Sequence, residues 1–144
     1  SDIAELTIYL RDNITKSFLK NKERIKEIAK NSYIISGGFH EWIDDIAAEL
    51  GFLRENIYAN KFTWDGDNIT GFDTNNPLSF TNGKSIVVKN LSLQKKDTIV
   101  VGDGYTDYKI KENGLADKFY LFTENVRREN LVQLADKVCT EFKF

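Results

Sequence analysis

The chain has 144 residues, 41% of them hydrophobic, which is the size of one ordinary domain with enough apolar side chains for a core. Its 20 basic and 22 acidic residues leave a net charge of −2, without the lysine and arginine excess of a phosphate-backbone binder, so nucleic acid is not expected as a partner. No stretch approaches the roughly 18 consecutive apolar residues of a membrane span, and the single cysteine, Cys139, cannot close an internal disulfide, which fits a reducing, cytoplasmic setting.

Residues 18–30, FLKNKERIKEIAK, place Phe18, Ile25 and Ile28 on one stripe among lysines and glutamates, predicting an amphipathic helix. Tyr33, Ile34 and Ile35 form a short apolar run ending at Ser36-Gly37-Gly38, and predict a buried strand. From Phe39 to Leu50, Trp42, Ile43, Ile46, Ala47 and Leu50 recur at helical spacing, with Gly51 as the stop. Tyr58, Lys61, Thr63 and Trp64 then read as extended, DGDN as turn chemistry and Ile69 to Phe72 as the return, a β-hairpin. A loop through Asn75, Asn76 and Pro77 leads to a helix from about Lys84 to Leu91. Next come a strand at Thr98–Val101, a short helix at Tyr108–Asn113 closed by Gly114, a strand at Phe119–Phe122 and a last helix in NVRRENLVQLA.

Short, wholly apolar strands separated by amphipathic helices predict an α/β fold, a Rossmann-like parallel sheet flanked by helices, here with a β-hairpin insertion. Ligands of such sheets sit outside the carboxyl ends of the strands. Two polar, glycine-containing segments follow strands in this chain, SGG and GDGYTD.

Asp103 stands at a strand end between two glycines, and Asp107 follows about one helical turn later. Two carboxylates facing one spot make a hard oxygen site that suits Mg²⁺, which keeps waters and substrate phosphate in its shell. GDG also reads as a tight turn and Asp107 as a helix cap, and the two residues alone leave both readings open. Ser36, Gly37 and Gly38 offer a hydroxyl and backbone N–H groups just before a helix, suited to a phosphate oxygen. Lys84 in TNGKS could neutralise phosphate; a P-loop is excluded because Leu78 occupies the position of its first glycine. His40, Asp44 and Asp45 read as surface residues and Cys139 as structural, since none has a second ligand or base nearby in sequence.

Taken in order, IISGGF, Lys84 and VVGDGYTD resemble the second, third and fourth motifs of the haloacid dehalogenase superfamily. Within it the chain is most similar to the phosphoserine phosphatases, which share the YAN-like entry to a hairpin and the TGFD-like exit. The stretch from ENIYAN through GFDT and NPLS to GK also looks like the phosphatase-like module of bifunctional phosphoglycerate dehydrogenases. The likeness runs from about Ser32 to Asp136. It implies an aspartate nucleophile that takes the phosphoryl group of a small phosphorylated metabolite, a second aspartate as general acid and base, and Mg²⁺ to offset charge. By resemblance, Ser36 binds a phosphate oxygen with help from the Gly37 backbone, and Lys84 stabilises phosphate charge. Asp103 ligates Mg²⁺, and Asp107 holds the metal shell and belongs to the catalytic set. Thr106 departs from the asparagine common in phosphoserine phosphatases.

The family's nucleophile lies in a DxDx(T/V) element well ahead of SGG, and the residues before Tyr33 contain none. The resemblance therefore implies a core lacking its first strand, with residues 1–14 the end of a helical cap and 15–144 the incomplete core. It implies no phosphatase activity for this chain alone, and unpaired strand edges that favour self-association or a retained N-terminal fragment. The alternative is a non-catalytic regulatory module that binds phosphate and metal and is attached to a dehydrogenase.

Overall fold

In the computed structural model, residues 16–141 are described, and the chain divides into two compact units, Ser1–Thr81 and Asn82–Phe144. The expected end of a helical cap, residues 1–14, lies outside the described residues.

The first amphipathic stretch forms two helices instead of one, α1 (Lys16–Lys20) and α2 (Lys22–Ala29). Asn21 separates them. Its Nδ2 donates to the Ser17 carbonyl at 2.7 Å, a local bond that competes with helix propagation. The α2 stripe buries Ile25 and Ala29. β1 (Ile34–Phe39) includes the whole SGG segment, and α3 (His40–Glu49) follows it. That helix stops as its sequence predicts. Gly51 takes a left-handed φ of 95°, the N–H of Phe52 reaches Ala47 O at 3.1 Å and that of Gly51 reaches Ala48 O at 3.0 Å, a Schellman end.

Tyr58, expected in the hairpin, belongs instead to β2 (Ile57–Asn60), which pairs in parallel with β1 through Ile34–Ile57, Ile35–Tyr58 and Phe39–Asn60. Ile57 and Ala59 are buried, and four residues of mixed polarity are too few for periodicity to separate such a strand from the hairpin that follows. The hairpin itself is β3 (Phe62–Asp65) and β4 (Asn68–Phe72), antiparallel, with Asp65 opposite Asn68 and Gly66 at a φ of 58° in the turn. Aromatic rings gather at its base: Phe39 stacks on Phe62 at 3.9 Å and meets Trp42 edge-on at 5.1 Å.

In the second unit, α4 (Gly83–Leu91) precedes a three-stranded parallel sheet ordered β5 (Ile99–Gly102), β6 (Lys118–Phe122), β7 (Lys137–Cys139). The helices α5 (Tyr105–Glu112) and α6 (Glu129–Val132) connect its strands. β6 carries the core: Phe119 and Leu121 are fully buried with Leu131, and Val100, Tyr108, Val132 and Ala135 pack against them. β5 is one edge of the sheet, and Ile99 and Val101 on it are about half exposed. Among the described residues, no helix is long and apolar enough to cross a membrane.

The expected last helix is only α6, and β7 was not anticipated. Asp136 explains both differences. Its backbone N–H donates to Phe119 O at 2.9 Å, while its Oδ2 accepts from Phe119 N–H at 2.8 Å and from Lys111 Nζ at 2.8 Å. These bonds turn the chain out of the helix and into register beside β6. Cys139 ends β7 buried, and burial pushes its thiol above the ordinary range.

The Lys111 ammonium, and then the Phe119 N–H, hold the Asp136 carboxyl below the usual carboxylate range. A carboxylate depressed in the folded state stabilises above its unfolded pKa of about 3.9 and loses that contribution as pH falls through the folded value. Asp136→Asn should lower Tm at neutral pH, and its gap to the parent chain should begin to close as pH falls towards the unfolded pKa of about 3.9 and go on closing below it, in melting curves followed by circular dichroism. A gap independent of pH would show that the charge of Asp136 contributes nothing.

Candidate active site

GDG begins with a problem of room. A Cβ added at Gly102 would overlap Cγ and Oδ2 of Asp107 and stand 2.6 Å from its Cβ. Neither Gly102 nor Gly104 has a positive φ, so the first glycine serves to admit the Asp107 side chain rather than to make a left-handed turn. Asp107 sits in the first turn of α5, where the helix dipole favours a carboxylate. Gly104 N–H donates to its Oδ2 at 3.1 Å, and its own N–H donates to Gly104 O at 3.2 Å.

The other oxygen of Asp107 meets Lys84. Nζ lies 2.8 Å from Oδ1, with side-chain exposures of 23% for the lysine and 12% for the aspartate. Lys84 occupies the first turn of α4, where the dipole disfavours a cation, so the carboxylate opposite it offsets both that field and partial desolvation. Asn113 Nδ2 donates to Ser85 Oγ at 3.1 Å and adds a second tie between α4 and α5.

Asp103 is exposed beyond the end of β5. Its carbonyl accepts from Arg128 Nη1 at 3.0 Å, while its carboxylate is engaged by no side chain among the described residues. The sequence places Arg128 inside the expected last helix, whereas it caps α6 (Glu129–Val132); a basic pair after a buried strand is the signal that marks it. Thr106 is exposed on the first turn of α5.

Ser36 and Gly37 belong to the first unit, where the parallel pairing of β1 and β2 is interrupted. Ser36, Gly37 and Gly38 lie opposite the single residue Ala59, between the pairs Ile35–Tyr58 and Phe39–Asn60, a bulge that pushes the extra residues out of the ladder. Gly38 N–H donates to Ser36 Oγ at 3.0 Å. Gly38 is crowded, since a Cβ there would meet Ile43 Cδ1 at 3.1 Å and Trp42 Nε1 at 3.2 Å, whereas Gly37 has open space. His40 Nδ1 lies 2.7 Å from Asp44 Oδ1, and Asp45 pairs with Arg54 at 3.0 Å, so all three are engaged by neighbours on or beside α3.

Among the described residues, no group of three or more His, Cys, Asp or Glu side chains could hold a metal ion by itself. Magnesium does not need one, because one or two carboxylates with waters and phosphate oxygens complete its shell. The oxygens of Asp103, and the lone pairs of Asp107 left over from Lys84 and Gly104, are donors of the right hardness. The site residues therefore fit the ion.

Gly102→Ala should cost about 1–3 kcal/mol through overpacking against Asp107, read from urea midpoints. Gly104→Ala, whose added Cβ would lie 3.6 Å from Asp107 Oδ2, should cost less. Equal losses would mean that Asp107 is not held against Gly102.

The sequence pattern of haloacid dehalogenase-like hydrolases matches residues 8–111. The chloroplastic phosphoserine phosphatase of Arabidopsis thaliana is 34% identical over 128 residues, covering 85% of this chain and 43% of that protein. The human phosphoserine phosphatase is 32% identical over 144 residues, 97% of this chain and 61% of that one. The chain thus spans about half the length of such relatives. Among solved structures, a phosphoserine phosphohydrolase-like protein of Francisella tularensis superposes with a TM-score of 0.71 at 31% identity, over 83% of this chain and 57% of that one. DsGPDH of Dunaliella salina shares the fold, with a TM-score of 0.65 at 22% identity over 90% of this chain and 22% of its own. With the family pattern running through the SGG bulge, Lys84 and the GDG loop, this chain belongs to the haloacid dehalogenase-like hydrolase family.

Proposed function

We infer that the chain is the C-terminal part of a Mg²⁺-dependent, cytoplasmic phosphomonoester hydrolase that acts on phosphoserine or a similarly small phosphorylated metabolite. The observation that carries this reading is the Lys84–Asp107 pair at the GDG loop, 2.8 Å and largely withdrawn from water. Each residue has a separate task. Ser36 donates its hydroxyl to a phosphate oxygen and the Gly37 backbone assists. Lys84 offsets phosphate charge, and Asp107 fixes the ammonium in place. Asp103, with Asp107 behind it, holds magnesium, which supplies charge neutralisation to the phosphoryl group when bound.

The reaction proceeds through an aspartyl-phosphate that water hydrolyses, so the chemistry needs a nucleophilic aspartate in a DxDx(T/V) element. No such element precedes SGG in this sequence. The chain by itself is accordingly a binding core without turnover, with residues 1–14 as the end of a cap and 15–144 as the incomplete core. Its unpaired β5 edge is a place for self-association or for a retained N-terminal piece. The same absence favours a second reading, a regulatory module that keeps phosphate and metal affinity within a larger dehydrogenase. A DxDx(T/V) in the coding sequence upstream decides for the enzyme.

With phosphoserine and Mg²⁺, the pure 144-residue chain should release no inorganic phosphate; sustained release would overturn the assignment of the nucleophile to another segment. In calorimetric titrations, inorganic phosphate should bind in the presence of Mg²⁺ and weaken when the metal is chelated. Lys84→Met should weaken it by roughly 10- to 100-fold, the worth of one charge-assisted hydrogen bond of about 1.5–3 kcal/mol. Asp103→Asn should abolish the dependence on metal while leaving the fold intact.

A further inference from the structure

Asn60 closes β2 with only 6% of its surface exposed. Its Nδ2 donates twice, to Gly37 O at 3.0 Å and to Leu78 O at 3.1 Å. Oδ1 is buried and accepts no hydrogen bond among the described residues. Chemistry fixes this orientation of the amide, since turning it over would set Oδ1 against two carbonyl oxygens. A buried acceptor left unsatisfied costs free energy, and what the molecule obtains in return is a firm hold on the Gly37 carbonyl.

That carbonyl belongs to the same peptide unit as the Gly38 N–H, which donates to Ser36 Oγ at 3.0 Å. A hydrogen bond received at one end of a peptide polarises it and strengthens the donor at the other end. The bulge makes this bond necessary. Three residues of β1 face one of β2, which takes the extra backbone groups out of the ladder, and Asn60, paired with Phe39 at its edge, reaches in to the Gly37 carbonyl. With one lone pair of Oγ occupied by Gly38, the hydroxyl proton of Ser36 is directed away from the glycine peptide and towards an outside acceptor.

We propose that Asn60 is a positioning residue for Ser36, setting the direction of its hydroxyl through the Gly37–Gly38 peptide. The inference rests on the reading of Ser36 as the group that binds a phosphate oxygen. Asparagine is demanded by this arrangement, because aspartate in the same shape would place a charged oxygen against two carbonyls, and alanine would strand both.

Asn76 provides the control. Its Nδ2 donates to Ala59 O at 2.7 Å and its Oδ1 accepts from Leu78 N–H at 3.0 Å, so it fastens the same loop to β2 without touching Ser36 or its glycines. In the isotope-labelled 144-residue chain, Asn60→Ala and Asn60→Asp should each speed exchange of the Gly38 amide by about five- to tenfold, the worth of one hydrogen bond, and move its proton upfield. Asn76→Ala should lower Tm and leave Gly38 unmoved. A Gly38 amide indifferent to a folded Asn60→Ala, or disturbed equally by Asn76→Ala, overturns the proposal. Should neither Asn60 variant fold, the unaltered chain still decides: a scalar coupling across the hydrogen bond from Asn60 Nδ2 to the Gly37 carbonyl carbon supports it, and its absence overturns it. Inorganic phosphate with Mg²⁺ should shift the Ser36 and Gly37 amides, about fivefold more weakly in Asn60→Ala. No response in the unaltered chain overturns the phosphate reading of Ser36, while the Gly38 readout separately decides whether Asn60 holds the serine.

Discussion

A lysine ammonium in the first turn of a helix faces the positive end of the helix dipole, and partial burial strips some of its water. For Lys84 both penalties are met by Asp107 at 2.8 Å. The carboxylate can stand there because Gly102 leaves space for it and Gly104 N–H holds its second oxygen. One ion pair thus joins the start of α4, the end of β5 and the start of α5, and it requires glycine at 102, where a Cβ would overlap the Asp107 side chain. A pair with this little exposure is weak as a source of net stability, since an apolar pair of similar volume would hold two helices about as well. What it supplies that an apolar pair could not is a positive charge kept at a fixed position at the end of β5.

The SGG bulge answers a different constraint. In a regular parallel ladder, backbone groups that bond to the neighbouring strand are not available to hold a side chain of their own strand. Inserting Ser36, Gly37 and Gly38 opposite Ala59 releases the backbone from the ladder. The released carbonyl of Gly37 is then recaptured by Asn60, and the released N–H of Gly38 by Ser36 itself. The segment is irregular without being loose.

Much of this was legible in the sequence, for reasons that differ from element to element. The end of α3 at Gly51 could be read because a left-handed C-terminal residue has a strong compositional signature. The hairpin around Gly66 was legible for the same kind of reason, turn chemistry set by a few residues. β2 and β7 were not legible. Each is too short for periodicity to register, and each exists because of a neighbour: Tyr58 pairs with Ile35, and the chain reaches β7 only because Asp136 bonds to Phe119. The site residues were named by motif, but their partners were not. Nothing in the local sequence of YAN says that its asparagine reaches a glycine 23 positions earlier, and nothing in GDG says that Asp107 will turn to Lys84.

Glycine shows most clearly what separates the two kinds of information. At Gly51 and Gly66 the residue is needed for a backbone angle, which is a local property and can be read from a turn signature. At Gly38 and Gly102 φ is not positive; the Asp107 side chain occupies the place a Cβ would take at Gly102, and a Cβ at Gly38 would stand 3.1–3.3 Å from Ile43, Trp42 and Ser36, which would have to give way by a few tenths of an ångström. A glycine of the second kind marks a point where the fold crowds functional groups together, so it carries long-range information in a residue that has no side chain. Both such glycines lie in the motifs that carry the family likeness, SGG and GDG. The family pattern runs through both of these points, and the contacts that crowd them, Ile43, Trp42 and Ser36 at Gly38 and Asp107 at Gly102, all come from within this sequence.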